Sequence, residues 1–239
     1  MNLDGNLIVN LNSANPEALV AFYRDKIGLK PNAAMGETAF MAANTPFIID
    51  GHSELNGPTK EPPRTIFNFS ADDVVKEKAR LESLGVRFLG PPSNEPISFA
   101  TFVDPDGNYG QLFSMQGAPA GLEMFALMRT SADPERMRAF YRDVVGLSDD
   151  FPDLGNPFMA GESSIYIGAH SEVRGQAKEP ARVLLNLPVA DLAAEQKRIE
   201  GHGVNFIRTA GREPWGGVIS TFADPDGNYL QLMEYHGPG

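Results

Sequence analysis

The stretch TFVDPDGNYGQLF, residues 101–113, returns as TFADPDGNYLQLM at residues 221–233. Asp-Pro favours a turn because proline fixes φ, and Asp-Gly supplies the left-handed residue that closes a hairpin. The residues that follow are typical of a β-strand. The pentapeptide DPDGN therefore predicts a turn between two strands, and it marks where the last strand of each copy begins.

Three further blocks repeat at an offset of 118 residues. The blocks are AFYRDKIGL and AFYRDVVGL (21–29, 139–147), GHSELNGPTKEPPR and AHSEVRGQAKEPAR (51–64, 169–182), and LESLGVRF and IEGHGVNF (81–88, 199–206). At DPDGN the offset becomes 120, because EPWGGVIS at 213–220 is two residues longer than EPISFA at 95–100. We predict two tandem domains, 1–118 and 119–239, joined by the small-residue linker QGAPAG at 116–121.

Both copies predict the same order of strands and helices. Residues 7–12, LIVNLN, form a strand, and Asn15, followed by Pro and Glu, has the features of a helix N-cap. Gly28 ends this helix. A second helix begins at Asp72 or Asp73, after another strand. Each copy therefore contains two β-α-β-β-β modules, and the predicted fold class is α+β.

Composition excludes several classes of protein. There is no cysteine, so disulfides and thiolate metal sites are absent, which fits a cytoplasmic location. No apolar run approaches the roughly 18 residues of a membrane helix, and the N-terminus lacks the features of a signal peptide. The net charge is −11 and neither half is basic, so nucleic acid is not an expected partner.

The two motifs FYRD-x-x-G-L and DPDGN, at these places in the predicted modules, resemble the vicinal oxygen chelate superfamily. It includes glyoxalase I, extradiol dioxygenases, fosfomycin-resistance enzymes and bleomycin-binding proteins. The resemblance covers nearly the whole chain, once per half. It implies tandem glyoxalase-like domains whose paired modules form curved mixed sheets around a cleft. It implies no single function, because one fold can carry several chemistries.

In metal-using members of this superfamily, His and Glu side chains on the strands bind a divalent ion. The matching positions in this chain are Ile8 and Ala126, Ile66 and Leu184, and Gln111 and Gln231. A fourth position lies around residues 48–50 and around Tyr166. Aliphatic side chains have no lone pair, and a neutral amide is a weak ligand compared with a carboxylate or imidazole. We therefore expect no metal or other cofactor at the usual position, while a divalent metal elsewhere stays open.

Two of the four histidines, His52 and His170, each begin an HSE tripeptide. On an extended chain His52 and Glu54 would face the same way and could form a small metal or acid/base pair. Alternatively, the tripeptide lies in an ordered loop in which Glu54 is paired with Lys60 or Arg64, or it lies at the rim of a ligand site. The other two histidines, predicted at the surface, are His202 and His236.

Strand alternation predicts the residues that line the cleft. If Gln111 and Gln231 point inward, residues two positions away on each strand do so too. The resulting face is apolar and aromatic with a few amides, which is typical of a small-molecule site. Asn68 and Asn186 would need partners there, either a ligand or internal hydrogen bonds. The predicted ligand-binding residues are Asn10, His52, Asn68, Tyr109, Gln111, Phe113, Tyr166, His170, Asn186, Trp215, Tyr229 and Gln231.

Trp215, the single tryptophan, lies in the EPWGG insertion of the second copy. Its glycines suggest a flap that closes over a planar ligand, and the alternative is an anchor for a surface loop. The favoured function is a metal-free protein that binds a small hydrophobic or aromatic molecule, as bleomycin-binding proteins do. The alternatives are a glyoxalase- or dioxygenase-type enzyme with a non-standard site, and a scaffold that only dimerises. The chain would act as a monomeric pseudo-dimer or as a homodimer.

Overall fold

The structure is a computed structural model that describes residues 1–93, 97–115, 120–121 and 123–235. Most of the predicted linker, 116–119, lies outside the described residues, and so does His236. Among the described residues, no helix is long and apolar enough to cross a membrane.

The order of elements confirms the four predicted modules. The first half contains β1 (Ile8–Ser13), α1 (Pro16–Phe22), β2 (Lys30–Pro31), β3 (Ala39–Ala42), β4 (Thr45–Gly51), β5 (Thr65–Ser70), α2 (Val74–Ser83), β6 (Arg87–Phe88), β7 (Ile97–Val103) and β8 (Tyr109–Met115). The second half contains β9 (Phe125–Ser131), α3 (Pro134–Ala139), β10 (Phe158–Ala160), β11 (Ser163–Ala169), β12 (Val183–Pro188), α4 (Leu192–Glu200), β13 (Phe206–Arg212), β14 (Val218–Ala223) and β15 (Tyr229–Glu234).

Within the described ranges the strands form two mixed sheets, and each sheet takes strands from both halves of the chain. The first sheet has the order β13-β14-β15-β12-β1-β4-β3-β2, and the second has the order β10-β11-β9-β5-β8-β7-β6. Antiparallel pairing of β1 with β12 joins the outer modules, and antiparallel pairing of β5 with β9 joins the inner ones. The fold is thus α+β, with two curved surfaces that each combine one module from either half.

The two sheets pack together through their apolar faces. Phe47 of β4 contacts Phe67 of β5 edge-to-face, with ring centroids 5.3 Å apart, and it also contacts Phe125 of β9 at 6.1 Å. All three rings are at least nine-tenths buried. Because side chains alternate along a strand, the opposite face of each sheet points away from this core. The molecule therefore has two outward sheet faces, one on each side.

Local features of the first helix differ from the prediction. The side chain of Asn15 makes no capping bond; instead the hydroxyl of Ser13 accepts the N–H of Asn15 at 2.8 Å. α1 ends at Phe22 and continues as a π-helical turn over Tyr23–Ile27, which Gly28 ends at φ 85°, as predicted. Positive φ is the conformation that favours glycine. In the second helix Asp73, the later of the two candidates, is the residue that caps.

The two motifs that carry the family resemblance contact each other. The hydroxyl of Tyr23, in FYRD, donates to the carboxylate of Asp104, in DPDGN, at 3.2 Å. Asp104 also accepts the backbone N–H of Asp106 and of Asn108, each at 2.9 Å, and so closes the turn. Tyr141 and Asp224 repeat this contact at 3.4 Å in the second half. The first aspartate of DPDGN is therefore a buried structural residue, which confirms the interpretation of the motif as turn chemistry.

Burial has the largest effect on the acidity of these groups. It raises the pKa of Asp104 to about 6, although hydrogen bonds from Asn108 and Tyr23 act in the opposite direction. Burial likewise raises the pKa of Asp224, and the nearby charge of Arg129 opposes that shift. The pKa of both tyrosine hydroxyls is raised too, so each remains a hydrogen-bond donor at neutral pH.

The KEPPR and KEPAR segments each contain a buried ion pair, and their glutamates join the two halves through reciprocal hydrogen bonds. Arg64 pairs with Glu61 at 2.7 Å, and Arg182 pairs with Glu179 at 2.7 Å, with every one of these side chains nearly buried. Each glutamate also accepts a backbone N–H from the other half. Glu179 accepts that of Lys60 at 2.7 Å, and Glu61 accepts that of Lys178 at 2.5 Å. The repetition of this block thus has a structural cause.

The alternative in which Glu54 pairs with Arg64 is therefore wrong, because Arg64 binds Glu61 and approaches Asp226 at 3.6 Å. Among the described residues, Glu54 also forms no ion pair with Lys60. The HSE tripeptide is not extended either. The N–H of Leu55 donates to the carbonyl of His52 at 3.1 Å, so residues 52–55 form a turn. Turn geometry removes the alternation on which a side-chain pair between His52 and Glu54 depended.

We predict that the Asp104 carboxyl titrates near pH 6. Since its folded pKa lies above the ordinary 3.8, the folded state binds this proton more tightly than the unfolded chain does. Its contribution to the free energy of unfolding is therefore fully present below pH 3.8 and is lost as the pH rises to about 6. Carboxyl ¹³C titration and urea unfolding across this pH range measure both effects.

Asp104→Asn should flatten this part of the stability profile. The control Asp25→Asn, at an exposed carboxyl with a lowered pKa, should not. Titration of Asp104 at its ordinary pKa would contradict the prediction.

We predict that Glu61→Ala and Glu179→Ala each lower the free energy of unfolding by about 3–5 kcal/mol, because each leaves a buried arginine without its nearest carboxylate. Urea denaturation at pH 7 measures the loss. Glu54→Ala is the matched control, because this exposed residue should change stability by less than about 0.5 kcal/mol. A larger effect at Glu54 than at Glu61 would contradict the network.

Candidate functional site

The twelve residues predicted to bind a ligand fall into two groups on opposite sides of the molecule. On or beside the first sheet lie Asn10, His52, Asn186, Trp215, Tyr229 and Gln231. On or beside the second sheet lie Asn68, Tyr109, Gln111, Phe113, Tyr166 and His170. We call these surfaces the Asn10 cleft and the Asn68 cleft. The repeat relates the two surfaces, and each combines strands from both halves, so their differences show how the two copies have diverged.

Amide side chains form the centre of the Asn10 cleft. Asn186 on β12 is paired in register with Gln231 on β15 and with Ile8 on β1. Its amide nitrogen donates to the side-chain oxygen of Asn10 at 3.1 Å and to the carbonyl of Ile8 at 3.3 Å. The amide nitrogen of Gln231 donates to the hydroxyl of Thr221 at 2.9 Å. The donors are thus satisfied internally, which fixes the orientation of both amides.

The Asn68 cleft repeats part of this pattern. The amide nitrogen of Asn68 donates to the carbonyls of Ile66 and Ala126 at 3.3 and 3.1 Å, and that of Gln111 donates to the hydroxyl of Thr101 at 2.9 Å. Of the two alternatives for the buried asparagines, internal hydrogen bonding is therefore observed in both clefts. Among the described residues, no hydrogen bond engages the carboxamide oxygens of Asn68 and Gln111.

The two threonines that hold the glutamines were not among the predicted residues. Thr101 and Thr221 lie directly opposite Gln111 and Gln231 in the hairpins that DPDGN closes. The signal was present in the sequence, because both copies place threonine ten residues before the glutamine, across a turn of known type. Pairing the hairpin strands around that turn would have identified this contact.

Apolar side chains surround the amides of the Asn10 cleft. Ile8 and Leu184 are almost fully buried on its floor, and Ile48 and Met233 are partly exposed. Tyr229 lies at the end near the repeated loops, where burial raises its pKa and the charge of Glu54 adds to the increase. Met233 follows four residues later, roughly 13 Å along the strand. The cleft therefore has an acidic end, an amide centre and an apolar far end.

Trp215 lies over the far end of the Asn10 cleft. Its ring would meet a Cβ built on Gly217 at 1.8 Å, so the ring covers that glycine on the side where a side chain would stand. Gly217 lies two residues before Ile219, so the two residues face the same side of the sheet. Ile219 is paired in register with Met233. Trp215 is half exposed and contacts Tyr235 in a T-shaped arrangement, with ring centroids 5.7 Å apart. The sequence analysis did not identify Tyr235.

The Asn68 cleft is more filled by its own side chains. Met128 stands at the position of Asn10, and its methyl group would lie 2.7 Å from a Cβ on Gly168, so it covers that glycine. The hydroxyl of Tyr166 donates to the carbonyl of Leu154 at 2.7 Å and is therefore engaged with a neighbouring turn. Phe113, in the place of Met233, is 8% exposed. The free carboxamide oxygens of Asn68 and Gln111 therefore lie among bulkier side chains than those of the Asn10 cleft.

The histidine turns lie beside these clefts without forming a side-chain pair. In each turn the imidazole Nδ1 accepts a backbone N–H, from Glu54 to His52 and from Glu172 to His170, both at 3.3 Å. Neither imidazole pairs with the carboxylate of its own turn. Across the described residues, there is no group of three or more His, Asp or Glu side chains arranged to hold a metal ion.

Comparison with known proteins agrees with this architecture. The profile of the Glyoxalase/Bleomycin resistance protein/Dioxygenase superfamily matches residues 7–112 and again residues 124–232. The chain belongs to this superfamily. The double match agrees with the repeat found in the sequence, and it confirms the resemblance inferred from FYRD and DPDGN.

Solved structures of the superfamily share the fold at low sequence identity. Glyoxalase I from Zea mays aligns with a TM-score of 0.68 and 18% identity, covering 96% of this chain and 92% of that one. A mutant of the same enzyme gives a TM-score of 0.71 at 18% identity, covering 96% and 93%. A putative dioxygenase from Bacillus subtilis gives 0.63 at 12% identity, covering 100% and 87%. A search of curated protein sequences returned no significant match.

The side chains at the superfamily's metal positions do not fit a divalent cation. In the first sheet three of the four positions hold Ile8, Leu184 and Gln231, and in the second sheet they hold Ala126, Ile66 and Gln111. The fourth position lies around residues 48–50 and around Tyr166. Each set offers one neutral amide and two hydrocarbon groups, and that amide already bonds to a threonine. Such a set lacks the carboxylate and imidazole donors that hold a divalent ion.

We predict that the dialysed protein retains only substoichiometric Ni, Zn, Mn, Fe or Co by elemental analysis, because neither donor set provides a charged or imidazole ligand. The triple variant Ile8→His, Leu184→His, Gln231→Glu should bind about one equivalent, since it restores two imidazoles and a carboxylate to one cleft face. The matched triple Ile8→Ala, Leu184→Ala, Gln231→Ala controls for disruption of the cleft. One equivalent in the parent protein would contradict the prediction.

Proposed function

We propose that this protein binds a small aromatic molecule, without a metal, in the Asn10 cleft. The observation that carries the proposal is the pair of carboxamide oxygens of Asn186 and Gln231. The two residues are adjacent on paired strands, their nitrogens are fixed by internal bonds, and no described residue donates to either oxygen. Two oriented acceptors between apolar walls are suited to a ligand that carries hydrogen-bond donors.

The ends of the cleft suggest which way the ligand lies. Trp215 and Tyr235 supply aromatic faces beyond Met233, which suits a planar ring. At the other end the carboxylates of Asp50 and Glu54 are exposed, and Glu54 is close enough to raise the pKa of Tyr229. An aromatic molecule with an amino group at its distant end would match both features.

The Asn68 cleft offers less room for such a molecule. Met128 covers Gly168 at the place that corresponds to Asn10, and Tyr166 is held against the carbonyl of Leu154. The corresponding residues of the Asn10 cleft, Asn10 and Ile48, are smaller. We therefore assign binding to one cleft of the two.

The alternative, an enzyme with a non-standard metal or acid/base site, has less support. One form of it relied on His52 acting together with Glu54, and another on acid/base chemistry by a His, Glu or Tyr side chain without a metal. The imidazole Nδ1 instead accepts the backbone N–H of Glu54, which leaves that nitrogen engaged within its own turn. An enzyme of this superfamily without that pair would need another catalytic group near the amides of a cleft.

We predict that planar aromatic amines raise the melting temperature and quench Trp215 fluorescence, because the ring lies over the far end of the cleft. For the best such compound, Gln231→Leu should weaken binding about three- to tenfold, the effect of one lost hydrogen bond of about 0.5–1.5 kcal/mol. Isothermal calorimetry and fluorescence titration measure the affinity.

Gln111→Leu is the matched control, because Gln111 makes the same threonine bond in the other cleft. It should leave the affinity unchanged. Equal losses in the two variants, or binding that never changes the Trp215 emission, would argue against the Asn10 cleft. If no amine in a broad collection raised the melting temperature, the proposed ligand class would be wrong.

A further inference from the structure

A cavity of about 20 Å³ lies where the repeated loops of the two halves meet. It is apart from both clefts, and it has room for one water-sized particle. Its walls include the buried arginines Arg64, Arg129 and Arg182 together with Glu61 and Glu179. Three guanidinium groups around so small a space require acceptors for all their N–H groups, because a buried charge is costly unless it is paired and hydrogen-bonded.

Arg129 is the arginine without a carboxylate partner. It is 2% exposed, and its hydrogen bonds go to neutral acceptors, the hydroxyl of Thr65 at 2.6 Å and the carbonyl of Val183 at 3.4 Å. The hydroxyl of Tyr141 is a further neutral neighbour. Within the described part of the chain, Arg129 forms no ion pair. Asp224 acts on it from farther away, and its carboxylate accepts hydrogen bonds from its own turn.

The repeat shows that this charge was added to one half only. An offset of 118 places Leu11 of β1 at the position of Arg129 in β9. Leu11 is fully buried, so the other half fills this place with a hydrocarbon side chain. The other two arginines, Arg64 and Arg182, are repeat-related and each has its own glutamate. Arg129 is therefore a positive charge for which the repeat supplies no carboxylate.

Four buried arginine nitrogens at this centre donate no hydrogen bond within the described residues. They are Nε of Arg64, Arg129 and Arg182, and Nη1 of Arg64, which lies 3.6 Å from a carboxylate oxygen of Asp226. The nearby carboxylates are already engaged. Glu61 and Glu179 bind their arginines and backbone N–H groups, Asp106 binds Arg182 at 3.0 Å, and Asp226 binds Arg136 at 2.7 Å.

A buried donor without an acceptor destabilises the folded state, and more so when the group is charged. The side chains around the cavity cannot remove this cost, because their oxygens point to other donors. The cavity therefore needs an occupant that accepts hydrogen bonds.

We propose that this cavity binds a small monovalent inorganic anion of the size of chloride. Such an ion accepts hydrogen bonds from every direction and supplies the negative charge that Arg129 lacks. A water molecule would bring two hydrogens of its own and no charge. By contacting arginines from both halves, the ion would stabilise the junction between β5, β9 and β12.

The test is thermal unfolding in sodium chloride or sodium bromide, compared with sodium gluconate at the same ionic strength, because gluconate is too large for the cavity. The parent protein should show a saturable, halide-specific rise in Tm. Arg129→Leu should abolish that rise, and leucine is accepted at the related position of the other half. Arg24→Leu, which removes an exposed arginine and the same charge, should retain it.

Crystals grown in bromide decide the question independently of whether Arg129→Leu folds. Anomalous density for bromide against the three guanidinium groups supports the proposal. A cavity without an anomalous peak overturns it, whatever the melting data show. A halide-specific rise in Tm that survives in a folded Arg129→Leu variant overturns it too, because the ion would then be bound elsewhere.

Discussion

The pairing of β1 with β12 and of β5 with β9 is the interaction on which the rest of the molecule depends. In each module taken alone, the first strand is an edge strand of a small sheet. A row of its backbone N–H and C=O groups is therefore unpaired. Antiparallel pairing satisfies these groups and places Asn186 against Ile8, and Asn68 against Ala126. Both clefts are thus built from two halves, and the hydrogen bonds that Glu61 and Glu179 accept from the opposite half close the same junction on another side.

The repeat, the modules, the DPDGN turn and the end of the first helix at Gly28 could be predicted because each has a local cause. Pairing between the halves could not be, because β1 and β12 are far apart along the chain and strand edges carry no local code. The partner of Arg64 was assigned to the wrong glutamate for a related reason. Glu54 and Glu61 are both close to Arg64 in the sequence. Only the structure, in which residues 52–55 form a turn, shows which of the two is its partner.

The candidate site was predictable in position more than in chemistry. Strand alternation placed the amides of Asn10, Asn186 and Gln231 on one face, and the strand register agrees with that placement. The internal partners Thr101 and Thr221 were within reach of hairpin geometry, whereas Tyr235 and the isolation of Arg129 required the packing. Neutral amides held by neutral hydroxyls give a surface that orients hydrogen bonds without strong charge, in a superfamily whose metal-using members employ carboxylates at the same place.

The sharing of each curved sheet between distant parts of the chain has a consequence for cutting it. Cleavage between β8 and β9 would yield two fragments, and each would have two exposed edge strands. The edge strands of one fragment can pair with those of the other. Because the two halves are repeats, they can also pair with those of a second copy of the same fragment. Separated pieces would therefore reassemble or self-associate before either could offer a finished concave surface.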